Sequence, residues 1–452
     1  MDHHFVVRVG DATPPATPTG SERTEFFVGS TIPVGTPAER VVARNVLGTL
    51  QDGGLAPTQG AVDLYRFAVA AYVADQRVHR SDYDGWTRPL ALHVPVPDVA
   101  PWQRASGSLT EFLRFLTGDA WSVYPYKAET ARIAGAEGAP GDDTGATGAD
   151  GPAGVCLLSG GLDSFLGAAQ ALTSGGRWLF VSHQAKGSAN HQSPAQERVA
   201  TALASEFGAD RVSRLTFDVS RLKMPGKQKA EGTQRSRSAV FLALGTLAAS
   251  AVQAGDGPTR LLIPENGFVS LNVPLTYGRI GSSSTRTTHP HTLALYQRVL
   301  DDLGLNVAVQ NPFRFATKGE MLTESPAAAF ARRHAAETVS CSNAGNTYRF
   351  TKTEKSHCGH CVPCIVRRAA MHSAGLDDPA PYQFDVVRDA PKPGSGPDSN
   401  LKAVGMAIAR TAAGSATIET LKSGPLPDHA EDYVSVYERG LAEVEALLTS
   451  GG

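Results

Sequence analysis

The 452-residue sequence is poor in cysteine, methionine and tryptophan, with only five, five and four residues, and it lacks long apolar runs. Five cysteines are too few for a disulfide framework in a chain of this length. No apolar run reaches the roughly 18 residues of a membrane span, and the start of the chain lacks the layout of a signal peptide. These absences argue against a disulfide-stabilised secreted protein and predict a cytoplasmic one without membrane contact.

An excess of either charge is also missing. The chain has 42 Lys and Arg against 44 Asp and Glu, for a net charge of −2. Nucleic-acid-binding domains usually carry a basic footprint, so no direct nucleic-acid binding is expected. At this length the chain is expected to contain more than one domain.

One Gly-rich hexapeptide lies between two apolar runs. Ser159–Ser164 has the sequence S-G-G-L-D-S, after Val155–Leu158 and before Phe165–Ala169. This order predicts a strand, a tight turn and a helix whose free N–H groups and dipole favour an anion such as pyrophosphate. No Gly-Lys-Ser/Thr follows, which excludes a Walker A loop, and the G-x-G-x-x-G fingerprint is absent. An ordinary Gly-rich turn is the alternative.

Composition and periodicity divide the chain into four regions. Residues 1–132 mix helical and strand-like periodicity and predict an α+β accessory region. Residues 133–154 are Gly-rich and predict a linker. Residues 155–375 alternate apolar strands with helices, which predicts a doubly wound parallel sheet. Residues 376–452 are expected to form a tail with helices.

Polar residues follow the strands predicted within 155–375. His183 comes after the second strand, and Glu265 and Asn266 come after the fourth. Ligands of such sheets bind beyond the carboxyl ends of the strands, so these side chains are expected to converge on the hexapeptide. A Glu at this place can accept hydrogen bonds from paired donors on a base, although Asn-Gly also fits a simple turn.

Four of the five cysteines form a cluster in the sequence. Cys358, Cys361 and Cys364 have the spacing C-x-x-C-x-x-C, and Cys341 lies upstream. Short C-x-x-C turns place two sulfurs on one ion, and zinc takes four such ligands. The sequence therefore predicts a structural zinc site. An iron–sulfur cluster and unpaired thiols are the alternatives.

The hexapeptide resembles the S-G-G-x-D-S loop of the PP-loop ATP pyrophosphatases, which split ATP into AMP and pyrophosphate. Together with the cysteine cluster, it resembles the 7-cyano-7-deazaguanine synthases over roughly Val155 to Ala374. The whole chain looks like the synthase-like components of the Qat and type IV CBASS anti-phage systems. The resemblance implies a PP-loop ATPase fold of the HUP (adenine nucleotide alpha hydrolase-like) type, with a zinc-binding C-terminal subregion and the added N-terminal α+β region.

The resemblance also implies roles for individual residues. ATP would be held by the loop and by His183, with Mg²⁺ at Asp163. Substrate would contact Glu265 and Asn266. The remaining candidates are cations: Arg237, Lys318 and Lys186 as stabilisers of charge in catalysis, and Arg279 and Arg286 as substrate-binding residues. Each of these cations also fits a solvated surface position.

The expected reaction is adenylation of 7-carboxy-7-deazaguanine by ATP and transfer to an amine. The amine is either ammonia or a group on a protein partner from the same defence operon, and the extra terminal regions favour the protein. Alternatives are plain 7-cyano-7-deazaguanine synthesis, another PP-loop amidation or thiolation, and a non-catalytic nucleotide sensor. A homodimer is also expected.

Overall fold

A computed structural model provides the structure of the chain. It describes residues 2–9, 12–28, 41–42, 46–129, 151–184, 192–219, 229–233, 235–252, 257–276, 286–344, 357–376 and 382–450. None of the helices within these ranges combines the length and apolar character that crossing a membrane requires.

The N-terminal region, residues 2–129, which we call the first half of the fold, builds a five-stranded sheet in which all described pairs are parallel. Its strand order is β3-β2-β1-β4-β5. The strands are β1 (His3–Arg8), β2 (Glu22–Val28), β3 (Val41–Val42), β4 (Pro89–Val96) and β5 (Ala120–Lys127). The helices are α1 (Val46–Asp52), α2 (Gln59–Arg77) and α3 (Val99–Thr117).

A second parallel sheet follows, in the order β10-β9-β6-β7-β8. This sheet and its connecting helices form what we call the second half of the fold. Its strands are β6 (Pro152–Leu157), β7 (Arg177–Gln184), β8 (Val212–Asp218), β9 (Thr259–Leu262) and β10 (Val307–Gln310). The helices that connect them are α4 (Leu162–Thr173), α5 (Gln192–Phe207), α6 (Arg237–Ser250), α7 (Gly267–Leu271) and α8 (Pro290–Asp302). All five carboxyl ends therefore lie at one edge, which we call the active edge.

Six further α-helices follow β10 in the part of the chain that the structure describes. They are α9 (Lys318–Glu324), α10 (Ala328–His334), α11 (Val362–Ser373), α12 (Gly396–Ala412), α13 (Ala416–Leu421) and α14 (Ala430–Thr449). The C-terminal helix α14 packs on α11 and α7 around a separate apolar cluster. It thereby covers the elements that follow β9.

The two halves share one continuous hydrophobic core. Helix α2 packs on α6, and α3 packs on α8. The rings of Phe112 and Tyr296 lie 5.3 Å apart at the centre of the α3–α8 contact. The glycine at position 245 of α6 lets the helix lie directly on the sheet, because a Cβ there would come within 2.8 Å of Leu261.

The second sheet agrees with the strands predicted from the sequence, and Cys156 is fully buried in β6. The first half differs from its predicted α+β class, because every described strand pairing there is parallel. Its first two strands have no clear strand pattern in the sequence, because polar and charged residues occupy much of both. Most of the predicted linker lies outside the described residues.

We expect Phe112→Ala to lower the free energy of unfolding by about 3–5 kcal/mol, because it removes a buried ring from the shared core. Urea denaturation followed by tryptophan fluorescence would measure the change. Met406→Ala, at a side chain that is 47% exposed, is the control and should alter stability by less than about 0.5 kcal/mol. Equal effects of the two substitutions would contradict the shared core.

Candidate functional site

The hexapeptide forms the turn from β6 into α4. Gly160 has φ +84°, a left-handed conformation that favours glycine, and a Cβ there would lie 3.0 Å from the backbone of Gln196. Ser164 Oγ accepts a hydrogen bond from the N–H of Ser159 at 3.1 Å and donates to the carbonyl of Gly161 at 3.0 Å. The loop is thus preformed at the amino end of a helix, where N–H groups and the dipole favour an anion.

A distant segment supports this loop. The hydroxyl of Ser340 accepts a hydrogen bond from the N–H of Leu162 at 3.2 Å, and the N–H of Val339 donates to the carbonyl of Gly160 at 2.9 Å. Ser340 is held in turn by its own N–H, which donates to His357 Nε2 at 3.2 Å. Because Ser340 directly precedes Cys341, the geometry of the cysteine cluster is linked to that of the loop.

Asp163 is the centre of a buried polar cluster. The ammonium of Lys318 lies 3.2 Å from its Oδ2, and the amide of Asn266 donates to the same oxygen at 2.9 Å. Glu265 hydrogen-bonds to the Asp163 side chain. Oδ1 of Asp163 is buried and accepts no hydrogen bond from an N–H or hydroxyl group of the described residues. The ends of β6 and β9 and the start of α9 therefore converge, as the strand positions predict.

The two carboxyl groups of this cluster differ in charge state. Burial opposes ionisation of Asp163, but Lys318 and the hydrogen bonds from Glu265 and Asn266 outweigh it and lower the pKa of Asp163. Burial raises the pKa of Glu265 well above its usual value, and the adjacent Asp163 raises it further against the pull of Lys318. The two shifts favour the ionised form of Asp163 and the protonated form of Glu265.

The C-terminal helix fixes the start of α9. Glu443 of α14 accepts hydrogen bonds from the Thr317 hydroxyl and, at 3.3 Å, from the N–H of Gly319. Thr317 also forms a capping box with Glu320, whose carboxylate lies 2.6 Å from Arg439 of α14. Lys318 lies between these anchored residues, so α14 determines where its ammonium stands.

A second group of candidates surrounds the end of β7. The ring of His183 contacts the edge of Phe241 at 4.9 Å, and the guanidinium of Arg237 lies over the same ring at 4.9 Å. Burial lowers the pKa of His183 to about 4, with a further contribution from Arg237. Gln196 connects this group to the loop, because its amide donates to the carbonyls of Ser159 and His183 at 3.4 and 3.3 Å. His183 is therefore neutral at pH 7.

The four clustered cysteines meet in the structure. Their sulfurs all lie within 4.8 Å of one another, and the Cys341–Cys361 and Cys358–Cys364 pairs are 4.0 and 3.9 Å apart. Four thiolates about 2.3 Å from a zinc ion would be about 3.8 Å apart. Sulfurs bound to different irons of a cluster would be more widely separated. The cluster can therefore hold one zinc ion, as the sequence predicts.

A cavity of about 500 Å³ lies beside Asn311, at the end of β10. The Asn311 side chain accepts a hydrogen bond from the Glu265 N–H at 3.3 Å and donates to the Glu265 carbonyl at 2.9 Å, which connects the cavity lining to the Glu265 backbone. Gln297, Gln310 and Tyr433 line it, with Arg314 and Asp428 as charged groups. Its lining suits a mainly uncharged heterocycle that bears an anionic group.

Other predicted residues take different places. Arg286 donates a hydrogen bond to the Phe115 carbonyl at 3.2 Å and its guanidinium lies 4.5 Å from the Phe115 ring, at the contact between the halves. The Asn266 amide is used at both ends, because its oxygen caps α7 while its nitrogen donates to Asp163. Lys186 and Arg279 lie outside the described residues.

Part of the chain is similar to 7-cyano-7-deazaguanine synthases. The protein from Rhizobium rhizogenes is 33% identical over 81 residues, which cover 17% of this chain and 28% of that protein. The protein from Ruegeria pomeroyi is 34% identical over 92 residues, 20% of this chain and 33% of that protein. The matched segment thus spans about a third or less of each relative. No protein-family model matches the chain.

Among solved structures, a ketoreductase domain from the bacillaene assembly line aligns with a TM-score of 0.19 and 11% identity, covering 69% of this chain and 80% of that domain. A TM-score this low does not support a common fold.

We expect the purified protein to contain one zinc ion per chain and Cys361→Ser to lose it. Loss of zinc should also weaken binding of an anion such as pyrophosphate at the loop, because Cys341 and His357 position Ser340 against the loop. Elemental analysis and calorimetric titration with pyrophosphate would measure the two effects. Cys156→Ala, away from the cluster, should keep its zinc. Iron with visible absorbance, and no zinc, would contradict the assignment.

Proposed function

We propose that the chain is an ATP-dependent, AMP-forming ligase that activates the carboxylate of a 7-deazaguanine, such as 7-carboxy-7-deazaguanine, and transfers the acyl group to an amine. The observation that carries this proposal is the preformed S-G-G-L-D-S loop beside the Asp163–Lys318–Glu265 cluster. The partial similarity to 7-cyano-7-deazaguanine synthases supports the choice of substrate.

The reaction has two balanced steps. A substrate carboxylate oxygen attacks the α-phosphorus of ATP, the bond to the bridging oxygen breaks, and pyrophosphate leaves. The amine nitrogen then attacks the acyl carbon, AMP leaves, and the nitrogen releases a proton. Both steps bring anions together, so catalysis depends on fixed positive groups and on orientation.

Each part of the site takes a role in this scheme. The loop N–H groups and serine hydroxyls bind the β- and γ-phosphates, and Lys318 and Arg237 neutralise charge that builds up during transfer. Oδ1 of Asp163, which accepts no hydrogen bond from an N–H or hydroxyl group, and the Glu265 carboxyl would hold a Mg²⁺ ion, which prefers one or two carboxylates plus phosphate oxygens. Such an ion would supply positive charge to balance that of the phosphates. Glu265 is better suited to this position than to recognition of the base.

The cavity beside Asn311 is the proposed site of the heterocycle. Its amide side chains can pair with the edge of a deazaguanine, and Arg314 can attract the carboxylate before ATP reacts. This assignment moves base recognition from Glu265 and Asn266 to the end of β10.

The acceptor amine is proposed to belong to a protein partner in an anti-phage operon of the Qat or type IV CBASS kind. Support comes from the two regions that flank the segment resembling the synthases, since ammonia needs no docking surface. Plain 7-cyano-7-deazaguanine synthesis is the alternative and uses the same first step. Thiolation is disfavoured because Cys156, the cysteine outside the cluster, is fully buried.

We expect Asp163→Asn to reduce pyrophosphate release from ATP and 7-carboxy-7-deazaguanine by at least about a hundredfold, because it removes the charge at the centre of the cluster. A coupled phosphate assay would measure release, and mass spectrometry would identify the product and any modified partner protein. Asp210→Asn, at an exposed carboxylate, is the matched control. Absence of substrate-dependent pyrophosphate from the wild-type protein would refute the proposed function.

We further expect Arg314→Ala to raise the KM for the carboxylate substrate about tenfold while the KM for ATP is unchanged, because a hydrogen bond to a charged group is worth about 1.5–3 kcal/mol. Steady-state kinetics with each substrate varied in turn would separate the two constants. Arg388→Ala removes an exposed arginine elsewhere and should change neither. A rise in the KM for ATP alone would assign the cavity to the nucleotide instead.

A further inference from the structure

We infer that the first half of the chain is a second, non-catalytic copy of the fold of the second half, docked as the other subunit of a twofold dimer would be, and that it holds the first turn of α6, and with it Arg237, through the carboxylate of Asp75. The catalytic consequence rests on the proposed function, whereas the docking and the holding of α6 do not.

The first observation is topological. If the strands of each sheet are numbered from one to five in chain order, both sheets have the order 3-2-1-4-5 and all pairs are parallel. Helices α2 and α6 both connect the third strand to the fourth, and α3 and α8 both lie between the fourth and the fifth. Parallel crossovers have one hand, so these helices cover the equivalent face of each sheet.

The second observation is that equivalent helices pack on each other. Helix α2 lies against α6, and α3 lies against α8. Both pairs are antiparallel. In the α3–α8 pair, Glu111 contacts Arg298 and Phe115 contacts His291, so one number rises as the other falls. A twofold axis produces this arrangement, in which the same surface of each copy meets the other.

The α2–α6 contact is also reciprocal at its ends. Asp75, near the end of α2, accepts hydrogen bonds from the N–H and hydroxyl of Ser236, which precedes α6, at 3.0 and 2.8 Å. At the opposite end, Ser250 of α6 accepts a hydrogen bond from the N–H of Thr58, which precedes α2, at 3.3 Å. Each helix thus holds the amino end of the other.

The two copies are not chemically equivalent. In the second half, the first strand, β6, leads through the S-G-G-L-D-S loop into α4. None of the described residues between β1 and β2 is helical. The first half therefore offers no helix amino terminus at the position where the second half binds an anion. Within the described residues, a loop that leads from the first strand into a helix is found in the second half and not in the first.

The reciprocal contacts have unequal consequences. The antiparallel packing places the end of α2 at the active edge, where Ser236 is followed by Arg237, and the start of α2 at the opposite edge. Asp75 is itself anchored by Arg88 at 2.6 Å, and both side chains are fully buried. Its carboxylate therefore fixes the position of the first turn of α6 through Ser236. Asp75 is thus a positioning residue for Arg237.

Hydrogen–deuterium exchange on the full chain tests the holding of α6 without turnover. Ser236→Ala, which removes one hydroxyl and leaves the Asp75–Arg88 pair intact, and Asp75→Asn should each speed exchange in the first turn of α6 at least about tenfold. Ser250→Ala is the matched control from the other end of the same contact and should speed exchange at the start of α2 instead. Unchanged exchange at α6 in both test variants would overturn the inference.

Pyrophosphate release tests the catalytic consequence. Ser236→Ala should lower kcat several-fold with the KM for ATP unchanged, and it should add little to the loss caused by Arg237→Ala. Ser250→Ala should leave kcat unchanged. Equal losses in Ser236→Ala and Ser250→Ala would reduce Asp75 to a docking contact and overturn the positioning role. If the wild-type protein releases no pyrophosphate, the proposed function fails while the exchange experiment still decides the holding of α6.

Crosslinking of a Glu111→Cys, Arg298→Cys double variant with a flexible bis-maleimide tests the docking. Both parent side chains are more than half exposed and their charged groups lie 3.0 Å apart, so the reagent should join the two cysteines within one chain. A crosslink between two chains, seen as a doubled mass, would overturn docking of the two halves within one chain.

Discussion

Several helices of the second sheet begin at the active edge, and the amino ends of α4, α6, α7 and α9 are each held by an identified polar side chain. A helix amino terminus leaves N–H groups unpaired and carries the positive end of the dipole, which makes it both a site for anions and a point that frays. The structure holds these ends with Ser340 for α4, Asp75 for α6, Asn266 for α7 and Glu443 for α9. Three of the four come from outside the sheet and its connections, so the cysteine region, the first half and the C-terminal helix all bear on one site.

The buried cluster of Asp163, Lys318 and Glu265 sets the charge balance of the site. Lys318 is paired with Asp163, and burial favours the protonated form of Glu265, which together keep the net charge of the buried centre low. A buried unpaired charge would be costly, which explains why the lysine and the carboxyl groups are found together. Asp163 and the ionised form of Glu265 would hold a divalent cation, which would supply positive charge to the nucleotide phosphates. Nucleotide phosphates could then bind without leaving an uncompensated charge in the protein.

Local sequence predicts the second sheet and most members of the site, because short apolar runs bounded by glycine and polar residues mark each strand end. Asp163, Glu265 and Lys318 were each expected near the active edge for that reason. The ion pair of Asp163 and Lys318 beside Glu265 is not predictable from local sequence, because it depends on distances between segments more than 100 residues apart. Asp75, Ser340 and Glu443 carry no local signal at all. Each is an ordinary polar residue until the fold brings it to a helix end.

The parallel topology of the first half indicates that it is structurally related to the second half. An α+β accessory region would be an addition of unrelated form, whereas a sheet of the same order, docked through equivalent helices, forms the second half of a pseudo-dimer. In a dimer of identical chains both ends of the α2–α6 contact would face a site. In one chain the two copies can diverge, so that one keeps the phosphate loop and the other keeps the contacts that support it. The apolar faces of α6 and α8, which a second chain could otherwise cover, are already buried by the chain's own first half.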